Sequence, residues 1–396
     1  VIFGIFVIVV EGVCENGTVG RAIVLSHVPG SEKSGWAKCT NARKPAHCSF
    51  WRSVCLGRDR LYAKVYPYPE WEGVSLANMP ATLEKIHGHC IPPFLPPLRT
   101  SEVPSSVIPG VTYFLCSWVN HFGHILMDMI FPSFLALQDL NVLGRSVRVI
   151  VDNRFTFPYG SNCTVMDAVE TFLTPGTRPV ELSRLLAEYR TWVKPVCFSR
   201  FVVGLKYERI VQSFTMTPWR PITVTDIRAF RDHVVSGHGA RVLPEPDRSC
   251  RILILDRDTT DRRLTNVREL AQAVSASTHL YDIEVRIEKF DGMTMVAQVA
   301  EIVAADVFIS VSGTGSHMAV FLPDGAASIV ITTANKADVN VHLCQVATHL
   351  HCYNSTGEDT GIATPVTANI EHIAAIVRRT VVQMKHRCPS RRTHAL

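Results

Sequence analysis

The sequence lacks several patterns by which a function is most easily recognised. None of its 12 cysteines forms the C-x-x-C spacing of a zinc or redox site. There is no block of like charges and no basic stripe interleaved with aromatic residues, so we expect no nucleic-acid partner. The sequence contains neither a G-x-G-x-x-G fingerprint nor a P-loop, and no solenoid repeat or low-complexity tract. P-loop enzymes, standard dinucleotide sites and repeat architectures are therefore excluded.

What is present is typical of a large folded protein. The chain has 396 residues, of which 47% are hydrophobic and 19% charged, enough apolar material for two domains or one large one. The net charge is +5, with lysine and arginine scattered along the chain. A mild basic excess suits an anionic small ligand such as a nucleotide, although a solvated surface explains it equally well.

The N-terminus carries an uninterrupted apolar run over residues 1–10, which is shorter than the roughly 20 residues that span a bilayer. We interpret residues 1–13 as the end of a signal peptide or of a signal anchor; the alternative is a buried first strand. The scattered cysteines, with N-x-[ST] sequons at Asn16, Asn162 and Asn354, predict disulfide bonds, N-glycosylation and a place in the secretory pathway.

Residues 14–110 are rich in cysteine and proline. The Pro-Pro pairs at 92–93 and 96–97 favour extended segments over helix. We predict a loop-rich, disulfide-stapled N-terminal elaboration, which ends where the sequence pattern changes at Val111.

From Val111 onward, strand-like and helix-like segments alternate. VTYFLCSWVN and SVRVIVD read as strands on either side of a helical pattern, HFGHILMDMIFPSFLALQDL, in which Pro132 predicts a kink or break. After a predicted linker over 234–250, the alternation resumes with RILILD, NVRELAQAVSAS, YDIEVRIEKF, MTMVAQVAEIVAA, VFISVS and SIVIT. This pattern predicts an α/β fold with mostly parallel sheets, in two Rossmann-like domains facing a cleft.

The predicted organisation of the chain has five parts. They are residues 1–13, the N-terminal elaboration 14–110, a first Rossmann-like domain 111–235, a second one 236–368, and a C-terminal helix and tail 369–396. Such folds bind ligands at the carboxyl ends of their parallel strands, so functional residues are expected where strands end.

The strand pattern VFISVS ends in a cluster of small residues. Glycine lets the main chain approach a ligand closely, and a helix start behind the strand adds backbone N–H groups and a positive dipole end. The pattern predicts a cradle for a diphosphate, although a tight turn that serves packing alone has the same sequence pattern. The residues concerned are Ser312, Gly313, Thr314, Gly315 and Ser316.

The stretch NHFGHILMD places polar residues in an apolar helical pattern. On a helix, His121, His124 and Asp128 lie on one face because they are spaced i, i+3 and i+7. Such a face offers a general base, an acid or polar contacts to a ligand, and its residue types also suit a metal. A core histidine satisfied by Asp128 is the simpler alternative.

The stretch LDRDTTDRRLTN follows an apolar strand with charged residues. Arg257, Arg262 and Arg263 at a strand's carboxyl end predict phosphate binding through bidentate hydrogen bonds. The D-x-D spelling of Asp256 and Asp258 predicts instead a divalent cation held against a diphosphate, as in one class of nucleotide-sugar enzymes. These residues alone leave both hypotheses open.

Taken together, these segments resemble glycosyltransferase family 61, which includes EGF-domain-specific O-GlcNAc transferases and plant xylosyltransferases. NHFGHILMD is similar to the family's helix start with Asn, His and Asp. LDRDTTDRRLTN matches the second motif through Arg257, Arg263 and Asn266, with Asp256 where serine is usual. SGTGSH and FLPDGA follow in the order of the third motif. The resemblance covers roughly residues 111–355.

The resemblance implies a GT-B fold and an inverting, metal-independent transferase without a cofactor. The donor would be a UDP-sugar, carrying GlcNAc or a pentose such as xylose, and the acceptor a hydroxyl of a glycoprotein or glycan. His124 or Asp128 is the implied base. The implied location is the endoplasmic reticulum or Golgi lumen, with or without an N-terminal membrane anchor, or outside the cell. The implied donor-binding residues are Arg257, Arg263, Asn266, Ser312, Gly313, Thr314, Gly315, Ser316 and His317.

This chain departs from the family pattern at two places. Ser312 stands where the family has histidine, and a histidine follows only at His317. The glutamate that often follows the last motif is absent from ASIVITTAN. These departures keep a second hypothesis open, namely a family relative that binds glycans or partner proteins without turnover.

Overall fold

The computed structural model describes residues 7–11, 24–25, 53–56, 61–64, 106–116, 122–139, 143, 147–152, 165–189, 196–203, 221–239, 249–257, 262–333, 339–358 and 364–390. The chain divides into two compact units, Val1–Arg209 with Thr217–Arg220, and Ile210–Met216 with Pro221–Leu396. Of the predicted elaboration 14–110, the structure describes only short strand segments. Of its cysteines only Cys55 lies in one of them, so the expected disulfides there stay a prediction.

The first unit is built on one mixed sheet. Its strand order is β2-β1-β8-β5-β6-β7, and β3 joins β8 and β4 beside this path. The pairs among β5, β6, β7 and β8 are parallel, whereas β1, β2, β3 and β4 pair antiparallel. The strands are β1 Val7–Glu11, β2 Val24–Leu25, β3 Ser53–Leu56, β4 Leu61–Lys64, β5 Ser106–Cys116, β6 Val147–Asp152, β7 Val180–Glu181 and β8 Val196–Val203.

Val7–Glu11 overlaps the end of the apolar N-terminal run and pairs antiparallel with β8. The structure thus describes residues 7–10 of the run as part of a strand, while both interpretations of residues 1–13 stay predictions. Within the described residues, no helix combines the length and the apolar character needed to cross a membrane.

The first unit also contains helices whose described apolar side chains, such as Leu126, Phe172 and Leu185, are buried. Helix α1 runs over 122–139 in three segments, helix α2 over 165–173 in two, and α3 is Leu182–Tyr189. The segments of α1 are Phe122–His124, a π-helical part Ile125–Ile130, and Phe131–Asp139; those of α2 are Val165–Ala168 and a π-helical part Val169–Leu173. The π-helical part of α1 ends just before Pro132, whose missing N–H and bulky ring disturb regular α-helical hydrogen bonding.

The second unit contains a six-stranded sheet of order β10-β9-β11-β12-β13-β14. All its pairs are parallel except β13 with β14. Its strands are β9 Cys250–Asp256, β10 Ile283–Lys289, β11 Val307–Val311, β12 Ala327–Thr333, β13 His351–Glu358 and β14 Thr367–Ala368. Its helices are α4 Val224–Gly237, α5 Val267–Ser277, α6 Met295–Val303, a 3₁₀ segment Thr314–Phe321, α7 Val339–Val346 and α8 Ile370–Gln383. The predicted α/β fold with parallel sheets is confirmed.

The central strands of this sheet are buried on both faces, which explains why their sequences are almost entirely apolar. Alternate residues of β9, such as Ile252 and Ile254, share one core cluster with Ile309 of β11 and Ile331 of β12. Helices α5 and α8 cover that face through side chains such as Leu270. Burying one such side chain stabilises the fold by about 1.5–3 kcal/mol.

Helix α4 lies in a stretch where the sequence analysis predicted no helix. Thr223 begins it with a capping box, because its hydroxyl accepts from the Asp226 N–H and its own N–H donates to the Asp226 carboxyl at 2.7 Å. Since the helix ends at Gly237, the first four residues of the predicted linker 234–250 are helical. The linker prediction was wrong for this part because the capping signal was overlooked.

At the amino ends of the parallel strands, a buried ion pair ties the C-terminus to the sheet. The Arg387 guanidinium donates to the buried Asp306 carboxyl at 2.9 Å, and Asp306 also accepts from the Arg251 N–H at 2.9 Å. Two disulfides, Cys250–Cys388 and Cys344–Cys352, add covalent links in this unit. The predicted disulfide bonds are thus confirmed for these two pairs.

A second charged cluster at this end surrounds His349. Arg231 and Arg228 contact the Asp324 carboxyl at 2.7 and 2.8 Å. Both ring nitrogens of His349 are buried, and no described residue gives either of them a hydrogen bond. Burial, assisted by Arg231 and Arg228 and partly opposed by Asp324, lowers the pKa of His349 to about 4.

The depressed pKa of His349 predicts a loss of stability in mild acid. The unfolded chain takes up this proton near its ordinary pKa of about 6.5, whereas the folded chain resists until about pH 4, so protonation favours unfolding in that window. We expect His349→Leu to reduce the fall in the free energy of unfolding between pH 6.5 and 4, measured by urea titration. His279→Leu, at an exposed histidine, is the control; an unchanged pH dependence in His349→Leu would contradict this assignment.

Candidate functional site

The predicted cradle over residues 312–316, called the glycine turn below, follows β11 at the carboxyl end of the sheet. Ser312 continues the parallel ladder, because its N–H donates to the Ile331 carbonyl at 2.9 Å. The Ser316 hydroxyl then closes the turn: it donates to the Gly313 carbonyl and accepts from the Gly313 N–H at 3.1 Å. The Ser316 N–H also donates to that carbonyl at 3.1 Å. The N–H groups of Ser312, Gly313 and Ser316 are therefore already engaged in hydrogen bonds within the protein.

The middle of the turn is half-buried, whereas the two residues at its ends are buried. Gly313, Thr314 and Gly315 are partly exposed, whereas Ser312 and Ser316 are buried. The 3₁₀ segment begins at Thr314, so its positive end lies at the exposed part of the turn. The sequence-predicted cradle is thus accessible at its glycines.

One arginine lies directly against the first glycine of the turn. The Arg262 guanidinium donates through Nη1 to the Ser312 carbonyl at 3.1 Å. Gly313 has a φ of 143°, and a Cβ added to it would collide with Arg262 Nη1. Arg262 itself has a φ of 56°, a left-handed conformation that costs energy for a residue with a Cβ. Backbone strain at this position therefore accompanies close approach of a guanidinium to the turn.

A second arginine lies near the other glycine. A Cβ added to Gly315 would lie 2.5 Å from Leu255 Cδ2 and 4.0 Å from Arg257 Nη2. The absence of a side chain at Gly315 thus keeps a narrow space beside the half-buried Arg257. Together, Arg257 and Arg262 bring two guanidinium groups to the same turn. Such an arrangement attracts an anion with several oxygens, because guanidinium forms charge-assisted hydrogen bonds with phosphate.

The other predicted donor-binding residues have different surroundings. His317 is 6% exposed and lies within the 3₁₀ segment. The Asn266 amide makes two hydrogen bonds of 2.9 Å with the backbone of Ala368, one as donor and one as acceptor. Arg263 is exposed, and its carbonyl accepts from the Val366 N–H at 2.8 Å. The geometry therefore brings Arg262, rather than Arg263, to the glycine turn.

The sequence pattern predicted phosphate binding by Arg262 as well as by Arg257 and Arg263. The family motif matched Arg263 and not Arg262. Their difference arises from the left-handed conformation at Arg262, which the sequence does not reveal. Asp258 and His121 lie outside the described residues. Within the part of the chain that is described, no cluster of three or more His, Cys, Asp or Glu forms a potential metal site.

In the first unit, His124 and Asp128 form a close pair. His124 Nδ1 and Asp128 Oδ2 are 2.6 Å apart, and the Asp128 side chain is fully buried while that of His124 is 34% exposed. When the Asp128 carboxylate accepts the Nδ1 proton, Nε2 keeps its lone pair and is able to receive a proton. The pair is therefore suited to general-base chemistry, with Asp128 orienting the ring.

A buried hydrogen-bond chain supports the helix segment that carries Asp128. The Tyr113 hydroxyl donates to Ser133 Oγ at 2.7 Å, and Ser133 Oγ donates to the Met129 carbonyl at 2.6 Å. Met129 lies in the π-helical part next to Asp128, where α-helical hydrogen bonding is altered. These two hydrogen bonds hold the backbone next to the Asp128 carboxyl group in place.

Of the predicted glycosylation sites, only Asn354 lies within the described residues. Asn354 is exposed on β13, and Ser355 beside it is buried. Asn16 and Asn162 lie outside the described residues.

Comparison with known proteins gives matches of very different strength. The family profile described as Glycosyltransferase 61 matches residues 122–330, more than half of the chain, and so includes both the His124–Asp128 pair and the glycine turn. The chain is 30% identical over 116 residues to the EGF domain-specific O-linked N-acetylglucosamine transferase of Xenopus laevis, an alignment that covers 29% of this chain. It spans only 22% of the length of that relative.

A solved structure, the metal-soaked Flv1 flavodiiron core from Synechocystis, is matched over 60% of this chain and 58% of that one. Its TM-score of 0.25 and sequence identity of 9% make this likeness too distant to support an argument.

Proposed function

Because this chain belongs to glycosyltransferase family 61, we propose that it is an inverting, metal-independent glycosyltransferase. It transfers a sugar, GlcNAc or a pentose such as xylose, from a UDP-sugar to a hydroxyl group of a glycoprotein or glycan. We also infer a GT-B-like organisation in which the C-terminal unit holds the donor. The division into two compact units and the parallel sheet of the second unit support this organisation.

The observation that carries the proposal is the pair of guanidinium groups at the glycine turn. Arg262 lies against Gly313 and Arg257 lies near Gly315, at the carboxyl end of a parallel sheet. A nucleoside diphosphate carries its negative charge on oxygens that two arginines can contact together. As the donor's sugar–phosphate bond breaks, charge accumulates on the departing diphosphate, so fixed positive groups at that position favour the transition state.

The transfer itself needs one proton to be removed. The acceptor hydroxyl oxygen forms a bond to the anomeric carbon while the bond from that carbon to the diphosphate oxygen breaks. The hydroxyl proton goes to His124 Nε2, and the buried Asp128 carboxylate stabilises the imidazolium that forms. UDP leaves with the electron pair of the broken bond. A single displacement of this kind inverts the anomeric configuration.

We place the protein in the lumen of the endoplasmic reticulum or Golgi, with secretion as the alternative. Family membership and the disulfides Cys250–Cys388 and Cys344–Cys352 support an oxidising compartment. The exposed Asn354 is then available for N-glycosylation.

One observation favours a second candidate, a family relative that binds without turnover. Ser312 stands where the family has histidine, and its carbonyl is engaged by Arg262 at 3.1 Å. A chain that lost an essential histidine would keep the diphosphate site and lose catalysis.

Hydrolysis of UDP-sugars by the purified protein separates these candidates. We expect UDP release from UDP-GlcNAc or UDP-xylose that survives EDTA and is absent from His124→Gln. Binding of UDP without release of UDP under any condition would favour the binding-only relative. Activity that is lost in EDTA and restored by Mn²⁺ would contradict the metal-independent mechanism.

A further inference from the structure

Asp256 is the last residue of β9 and faces the side of the sheet on which the Arg262–Gly313 contact lies. Ile252 and Ile254 belong to one core cluster with Ile309 and Val311. Since side chains alternate along a strand, Asp256 projects to the same face as these residues, one step beyond the apolar core. After Ile309 and Val311, the next residue at the same alternation along the chain is Gly313. Arg262 Nη1 lies against Gly313.

The Asp256 carboxyl is buried and incompletely satisfied. The residue is 3% exposed, and no described residue donates a hydrogen bond to its Oδ1. A buried acceptor without a donor costs about 1–3 kcal/mol, and more when it is charged. A polar group retained at such a cost at the end of a central strand indicates a partner that the described residues do not supply.

The position of Asp256 restricts the chemistry of that partner. The partner must donate hydrogen bonds, because a carboxylate only accepts them. It must also be neutral or cationic, since the diphosphate beside Arg257 and Arg262 is repelled by a carboxylate. The hydroxyl groups of a nucleotide sugar meet both conditions, and a vicinal pair matches the two carboxylate oxygens.

We propose that Asp256 binds hydroxyl groups of the donor substrate. This inference rests on the proposed function, and it adds a residue that determines which nucleotide sugar the site accepts. Two sources carry such hydroxyls, the ribose of the nucleotide and the transferred sugar. The family motif usually has serine at this position, so the carboxyl is a feature of this chain.

Calorimetric titration of the wild-type protein, Asp256→Asn and Asp256→Ser with UDP, 2′-deoxy-UDP and UDP-GlcNAc tests the proposal. A hydrogen bond to a charged acceptor changes affinity by about tenfold or more, so Asp256→Asn is expected to bind at least one ligand about tenfold more weakly. If the ribose is the partner, 2′-deoxy-UDP shows the same loss in the wild-type protein and no further loss in the variant. If the sugar is the partner, UDP binding stays unchanged and UDP-GlcNAc binding weakens.

Two results would overturn the proposal. One is equal affinity of the wild-type protein and both variants for UDP and for UDP-GlcNAc. The other is binding that disappears in EDTA and returns with Mn²⁺ only when Asp256 is present, which would make it a cation ligand. The analogue comparison uses the native protein and therefore stands even if both variants fail to fold. If the wild-type protein binds no nucleotide at all, the proposed function itself fails; if it binds and the variants bind equally, only this inference fails.

Discussion

Replacing His124 with glutamine is expected to lower the rate of sugar transfer by about 10²–10⁴-fold, the usual contribution of a positioned general base. Glutamine keeps a hydrogen-bonding group near Asp128 but cannot take up the acceptor's proton. Because the proposed diphosphate site consists of other residues, the dissociation constant for UDP should stay within about twofold of the wild-type value. The measurement is single-turnover transfer, combined with a UDP titration of the same preparation.

The role of Asp128 distinguishes base chemistry from a merely structural pair. Asp128→Asn still offers an oxygen to His124 but no charge to stabilise the imidazolium, so we expect a lower rate and a changed pH–rate profile. A loss of stability without any change in the pH–rate profile would identify the pair as core packing. Wild-type turnover in His124→Gln would remove His124 from the mechanism altogether.

Removing the two guanidinium groups is the second change with a large expected effect, in this case on the affinity for UDP. Arg257→Gln and Arg262→Gln should each weaken UDP binding by about tenfold or more, since each removes a hydrogen bond between charged groups. If the two contacts act independently, the double variant loses about a hundredfold. Glutamine keeps much of the side-chain length, so the packing around Gly313 and Gly315 changes little.

Two neighbouring arginines provide controls for this prediction. Arg268 is exposed on α5, and Arg268→Gln should leave the affinity for UDP unchanged. Arg263→Gln separates the family motif from the geometry: the motif assigns diphosphate binding to Arg263, whereas the contacts at Gly313 assign it to Arg262. A loss in Arg263→Gln as large as that in Arg262→Gln would favour the motif.

Much of the second unit was predictable because its strands and helices have distinct apolar patterns. The runs RILILD and VFISVS became β9 and β11, and the terminal amphipathic pattern became α8. Strand β13, HCYNSTGE, escaped prediction because its outward-facing residues are polar and its apolar content is low. Its pairing with β12 depends on a partner far away in the sequence, which overrides its weak local preference.

Helix α4 was missed although its signal was present. Ile227, Phe230, Val234 and Val235 recur at helical spacing, and Thr223 with Asp226 spells a capping box. By contrast, the sequence motif favours Arg263, whereas Arg262 makes the contact with the glycine turn. That choice depends on the left-handed backbone at Arg262 and on its hydrogen bond to the Ser312 carbonyl. The type of residue at the site was predictable, but which of two adjacent side chains contacts the turn was not.

Binding of the diphosphate at the glycine turn is tested most directly by a calorimetric titration of UDP into the wild-type protein and into the Arg257→Gln/Arg262→Gln double variant. Both titrations are done at one fixed salt concentration and with EDTA present. We predict metal-independent binding of UDP by the wild-type protein and a loss of affinity of about a hundredfold in the double variant, which should melt at the wild-type temperature. Equal affinity of the two folded proteins for UDP would contradict the claim that this glycine turn and its two arginines hold the donor's diphosphate.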